Sequence, residues 1–217
     1  MEQNYFGNET EVNNKDPEVI RGAQLLGKGI GILFWLFIPS ALAEILSNET
    51  LIEWMPGLYR PGIILQIVCL FIYNFVLLKI SSAERHYRTA GICGMVSAIV
   101  TLPTLFFPGS GDSAGWTMFL GFPAAVAALI GEYNEYRGHA AVLMGVDIIL
   151  SEKWRSLWRW YIGMFAVAIG SVFFMVFSLV IGLIVAITAI IGLLVVAVMR
   201  LICLYRTAKI FRNLSNM

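Results

Sequence analysis

The sequence predicts an all-α integral membrane protein with six transmembrane helices and with both termini in the cytoplasm. Hydrophobic residues make up 59% of the 217 residues and charged residues only 13%. The mean hydropathy is +0.78, far outside the usual range of a soluble globular domain. Long apolar blocks alternate with short polar connections, and Lys and Arg gather on one side of the predicted spans.

Five apolar blocks supply the predicted spans, because about 20 apolar residues at 1.5 Å per residue cross a hydrocarbon layer about 30 Å thick. They cover residues 25–46, 62–78, 90–107, 116–130 and 160–199. The last block carries no charge and is about twice as long as one span needs. We therefore expect it to fold back as a helical hairpin, with the turn near residues 177–179.

The positive charges support the same topology, because Lys and Arg beside a span are retained in the cytoplasm. Basic residues stand on both sides of block 160–199, and a hairpin places both groups on the same side. With six spans and a cytoplasmic N-terminus, Arg60 is the only outer residue among the 15 Lys and Arg. A model with five spans loses this asymmetry.

The predicted topology divides the chain into three parts. Residues 1–24 form a polar cytoplasmic segment, in which we expect no cleaved signal peptide because no apolar core is present. Residues 25–204 form the six-span domain, and within it residues 131–159 form a cytoplasmic stretch with a helix on or under the membrane surface. Residues 205–217 form a basic cytoplasmic tail.

A short repeated string suggests that the domain contains three repeated helical hairpins. The tetrapeptide YRTA occurs at 87–90 and again at 205–208, and looser versions occur at 20–23 and 136–140. All four are on the predicted cytoplasmic side, which favours a repeat. The alternative is that a Tyr-Arg pair simply suits the inner membrane interface.

Pairs of small residues four positions apart predict close packing between helices. These pairs are Gly27 with Gly31, Ala124 with Ala128, and Ala166 with Gly170. We expect them to pack helices within one chain.

Neutral polar residues inside the predicted spans are candidates for a ligand site. The candidates are Gln66, Asn74, Thr101 and Thr104, from a set that also contains Ser97, Ser171 and Thr188. Pro103 and Pro123 interrupt neighbouring spans, and a proline frees a backbone carbonyl and bends a helix. We predict a polar outer cavity rimmed by Glu44, Glu53, Arg60 and Asp112. The favoured interpretation of the individual neutral polar groups, however, is that they hydrogen-bond neighbouring helices or their own backbone.

Glu132, Glu135 and His139 share one helix face, because they are spaced by three and four residues. Carboxylates with an imidazole can ligate a divalent metal or act as a general base. The favoured interpretation is an exposed surface with an i,i+4 ion pair, for which His139→Ala leaves the stability almost unchanged.

The preferred functional hypothesis is a small substrate-binding or transport-related membrane subunit without its own energy-coupling motif. The sequence contains no H-E-x-x-H, G-x-S-x-G, Walker or dinucleotide-binding pattern, so we expect no enzyme activity and no cofactor. A net charge of +1 gives no reason to expect nucleic acid as a partner. The expected partners are the lipid bilayer, a small polar ligand and a protein on the cytoplasmic face.

The expected location is the plasma membrane, the inner membrane in bacteria, with multiple passes. One alternative is a non-enzymatic structural or regulatory membrane protein that acts through a cytoplasmic partner. A second alternative is a metal-binding membrane enzyme built on Glu132, Glu135 and His139.

Overall fold

The apolar blocks form six α-helices in a computed structural model that describes residues 17–48, 55–102 and 113–215. The helices are α1 Pro17–Leu46, α2 Tyr59–Ile80, α3 Arg85–Thr101, α4 Ser113–Leu143, α5 Ile148–Phe177 and α6 Leu179–Leu214. A short 3₁₀ turn, Pro56–Leu58, precedes α2. These ranges contain no β-strand, so the predicted all-α class is confirmed.

Four helices in the described part of the chain are long and apolar enough to cross a membrane: α1, α2, α5 and α6. This finding indicates a membrane protein. Helix α3 contains 17 residues, and the predicted span that includes it continues to residue 107, outside the described residues. The number of crossings remains a prediction.

The predicted turn within block 160–199 is confirmed at Ser178. Helix α5 ends at Phe177 and α6 begins at Leu179, and Ser178 between them has an extended backbone with φ −158° and ψ 116°. The two helices then pack closely, because a Cβ added at Gly182 would lie 2.6 Å from the backbone nitrogen of Met175. A glycine at this position therefore permits the tight reversal.

The six helices form a ring in which each helix packs against the next one and α6 packs against α1. Helix α1 begins where α6 ends, since a Cβ added at Gly27 would lie 3.1 Å from the backbone nitrogen of Arg212. Helix α2 begins where α1 ends, with a Cβ added at Gly62 only 2.9 Å from the Leu46 carbonyl carbon. Neighbouring helices thus run in opposite directions.

The small-residue predictions have different outcomes. Close approach is confirmed at Gly27, whose neighbours are backbone atoms of α6. At Gly170 the prediction is wrong, because an added Cβ would meet no described atom within 4 Å. Ala166 on the same helix is exposed, so this pair does not pack against another helix of the chain.

The buried core lies toward the end of the ring that contains the α2–α3 and α4–α5 turns. It includes Ile80, Tyr87, Leu143, Leu150 and Trp154. At the opposite end, the tips of α5 and α6 expose large apolar side chains, Phe177 at 88% for example. Such a continuous apolar exterior is typical of a surface that contacts lipid.

Residues 131–159, predicted as an interfacial stretch, are divided between the end of α4 and the beginning of α5. The apolar run 140–150 within this stretch contains the turn between these helices and is not a single surface helix. Asp147 caps α5 by accepting a hydrogen bond from the Leu150 amide at 2.9 Å. Ser151 donates to the Ala140 carbonyl at 2.7 Å, which ties the two helices together beside the turn.

The three tyrosines of the repeated string have different surroundings. Tyr87 and Tyr136 are buried, whereas Tyr205 is 55% exposed. The triplication of hairpins therefore gains no support from these positions and remains a prediction.

Candidate functional site

A cavity of about 690 Å³ lies inside the ring, and each of the six helices contributes to its lining. Its size falls in the range of small-molecule sites, about 300–1,000 Å³. Leucine, phenylalanine and alanine side chains cover much of the wall. The charged side chains that line it are Glu44, Glu132, Glu135 and Arg200.

Four side chains form a polar hub in this cavity: Tyr73, Glu132, Glu135 and Arg200. The Tyr73 hydroxyl donates a hydrogen bond to Glu135 Oε1. Arg200 Nη2 donates to the same oxygen at 2.8 Å and to the Tyr73 hydroxyl at 3.1 Å. Arg200 Nη1 lies 3.6 Å from Glu132 Oε1. The polar hub therefore connects α2, α4 and α6, which are not neighbours in the ring.

The ion pair at the centre of the polar hub is removed from solvent. The Glu135 side chain is only 5% exposed and that of Arg200 is 23% exposed. Burial of two charges is costly unless direct contact and further hydrogen bonds compensate for the lost water. Here the compensation comes from Tyr73, from Glu132 and from the ring of Tyr136, whose centroid is 5.3 Å from Arg200 Cζ.

An aromatic layer, formed by Tyr87, Tyr136, His139 and Trp154, packs against the residues of the polar hub. His139 is fully buried and stacks on Trp154 with ring centroids 4.4 Å apart. Its Nδ1 is 2.9 Å from the Tyr87 hydroxyl. Trp154 Nε1 donates to Thr207 Oγ1 at 3.2 Å. Helices α3, α4, α5 and α6 are therefore joined by this layer.

The expected exposure of Glu132, Glu135 and His139 is wrong for the last two residues. Glu135 is 4% exposed and His139 is fully buried, because this face of α4 points into the ring. His139 Nε2 lies 3.6 Å from Glu135 Oε1, but this nitrogen is buried and makes no hydrogen bond within the described residues, so the two side chains are in contact without the predicted ion pair. The expectation that His139→Ala leaves the stability unchanged consequently no longer holds.

The two carboxylates of the predicted metal cluster turn toward a guanidinium. Within the described ranges, no three His, Cys, Asp or Glu side chains form a group that could hold a metal ion. Glu132 and Glu135 both contact Arg200. Sequence reasoning assigned Arg200 to the cytoplasmic flank of the last span and so missed this contact.

Two of the predicted ligand-binding residues, Gln66 and Asn74, line the cavity. Asn74 is 3% exposed, and its Nδ2 donates to the Leu70 carbonyl at 2.8 Å. A Cβ added at Gly94 would overlap the Asn74 side chain, so Asn74 also packs α2 against α3. Thr101 ends α3, but its side chain and the whole of Thr104 lie outside the described residues.

Glu44 is the predicted rim residue that lines the cavity. Arg60 is exposed near the beginning of α2. Glu53, Asp112 and Pro103 lie outside the described residues, and Pro123 is an exposed position within α4. Glu44, Gln66 and Asn74 therefore line the same internal cavity as the polar hub, whereas Arg60 does not line it.

No protein-family model, curated protein or solved structure matches this chain. Function must consequently be inferred from the site. The cavity combines charged side chains, hydrogen-bonding hydroxyls and aromatic rings in a concave space. Such a combination can orient a small ligand by charge and by ring contact.

Proposed function

We propose that this protein is a membrane binding or transport subunit that holds a small ligand in its central cavity. The observation that carries the proposal is a cavity of about 690 Å³ that contains the Glu135–Arg200 pair inside a ring of long apolar helices. Ionisable residues are expensive within a membrane domain, and those that are retained mark ligand or ion pathways. Transport against a gradient would need a partner protein to supply energy.

The proposed topology has six spans in the plasma membrane and both termini in the cytoplasm. Its support is the distribution of Lys and Arg, together with the positions of α3 and α4. These two helices pack between α2 and α5 in the ring, so they run beside the four helices that are apolar enough to cross a membrane.

Thiol labelling of two turns tests this topology. In a background without Cys69, Cys93 and Cys203, Asn48→Cys is expected to react with an impermeant maleimide added to intact cells. Ser82→Cys is expected to react only after the cells are permeabilised, because Asn48 follows α1 and Ser82 follows α2. Both positions are exposed. Labelling of Ser82→Cys in intact cells would contradict the proposed orientation.

Native mass spectrometry of the gently purified protein tests ligand binding. The wild type is expected to retain a small molecule, whereas Ala197→Trp, which fills the cavity, is expected to lose it. The matched control is Ala166→Trp, on an exposed face of α5, which is expected to retain the molecule. Equal occupancy in Ala197→Trp and the wild type would exclude the cavity as the binding site.

A structural or regulatory role through a cytoplasmic partner is the second candidate. A small groove between the beginning of α5 and the last turns of α6 is lined by Asp147, Lys153, Arg206 and Lys209, and its excess of cations suits an acidic partner surface. The same mass spectra distinguish the roles, because a stoichiometric protein would favour this candidate. A bound divalent metal would instead favour a metal protein.

A further inference from the structure

We infer that the cavity accepts a small organic cation; this inference rests on the proposed ligand-binding function of the cavity. Its described charged lining consists of three carboxylates, Glu44, Glu132 and Glu135, and one guanidinium, Arg200. Three negative charges and one positive charge leave a formal charge of −2. A concave site with an excess of negative charge concentrates cationic ligands.

The single guanidinium is already occupied by groups of the protein. Arg200 contacts Glu135 at 2.8 Å and Tyr73 at 3.1 Å, and it lies 3.6 Å from Glu132. An anion that approached Arg200 would have to displace these groups and then lie beside two carboxylates. Like charges in an interior of low dielectric repel strongly, so the polar hub disfavours anions.

Glu132 retains the capacity to accept a hydrogen bond from a ligand. The Glu132 side chain is 30% exposed, but its Oε2 is buried and makes no hydrogen bond of normal geometry among the residues that the structure describes, although the Tyr161 hydroxyl lies close to this carboxylate. Its Oε1 is 3.6 Å from Arg200 Nη1, which is longer than a normal hydrogen bond. A buried acceptor without a donor is costly, and a cationic group in the cavity would remove that cost.

Aromatic rings beside Glu132 indicate an organic cation and not a bare metal ion. Tyr136 and Tyr161 both line the cavity, and their rings are stacked with centroids 6.1 Å apart. The Arg200 guanidinium already lies over the Tyr136 ring at 5.3 Å, which shows that this aromatic wall of the cavity attracts cationic groups. A divalent metal needs several converging oxygen or nitrogen ligands, and the described residues contain no group of three acidic, His or Cys side chains that could supply them.

The test compares two thiol reagents of opposite charge at a cysteine beside Glu132. Ala128 lines the cavity one helical turn before Glu132, and the reporter is Ala128→Cys in the cysteine-free background, with Ala197→Cys as a second reporter. The probes are trimethylammonioethyl and sulfonatoethyl methanethiosulfonate. Ser82→Cys, which is exposed, gives the reference ratio of the two reaction rates.

At both cavity reporters the ratio of cationic to anionic rates is expected to exceed the Ser82→Cys ratio by about tenfold or more. Adding Glu132→Gln is expected to lower this ratio severalfold, while Glu152→Gln, which removes an exposed carboxylate, leaves it unchanged. A ratio equal to that of Ser82→Cys, or a preference for the anionic reagent, would overturn the inference that the cavity accepts a cation. Reaction at the two reporters would still show that small molecules reach the cavity. Failure of both reagents to react at both reporters would overturn the cavity function itself.

Discussion

Replacement of Arg200 by methionine is expected to lower the free energy of unfolding by about 3–5 kcal/mol, because it leaves a buried carboxylate without its counter-ion. The Glu135 side chain is only 5% exposed, and Arg200 Nη2 contacts it at 2.8 Å. Methionine preserves much of the length and the apolar contact of the arginine stem. The measurement is reversible chemical unfolding of the protein in detergent micelles, followed by tryptophan fluorescence.

The matched control is Arg155→Met, which removes an ion pair of similar length from the surface. Arg155 and Glu152 are 3.0 Å apart, but their side chains are 47% and 57% exposed. An exposed pair contributes at most about 1 kcal/mol. Similar losses for the two substitutions would show that the Glu135–Arg200 pair is solvated.

Replacement of Trp154 by alanine is also expected to cost about 3–5 kcal/mol of unfolding free energy, because it opens a large cavity in the core. Trp154 is fully buried, stacks on His139 at 4.4 Å and donates a hydrogen bond to Thr207. The substitution therefore removes the side chain through which α5 contacts both α4 and α6 at this level of the core. Unfolding in micelles, followed by circular dichroism, measures the loss.

Trp160→Ala provides the control on the same helix. Trp160 is 59% exposed, so its removal leaves no internal cavity, and we expect a change within about 0.5 kcal/mol. A loss at Trp160 as large as the loss at Trp154 would contradict the assignment of the aromatic layer to the core.

The helices could be predicted from the sequence because they depend on local properties. Apolar length fixed the approximate positions of all six, and block 160–199 was too long and too uniformly apolar to be one span. The break at Ser178 followed from that length, although no proline or asparagine marks it. The shared face of Glu132, Glu135 and His139 is likewise a property of helix periodicity.

The polar hub could not be predicted in the same way, because it depends on contacts between distant helices. Tyr73, Glu135 and Arg200 are separated by 62 and 65 residues along the chain. Periodicity shows that residues share a face but does not show whether that face points inward. Arg200 follows an apolar block, and such a position suits both a membrane flank and an interior site.

A double-mutant cycle between Glu135 and Arg200 tests the central claim that these side chains form a buried ion pair across the cavity. The free energy of unfolding is measured for the wild type, Glu135→Gln, Arg200→Met and the double variant under the same conditions. We predict a coupling energy of about 2–3 kcal/mol, with the double variant more stable than the sum of the single losses allows. A coupling energy near zero would contradict the buried pair and the polar hub built around it.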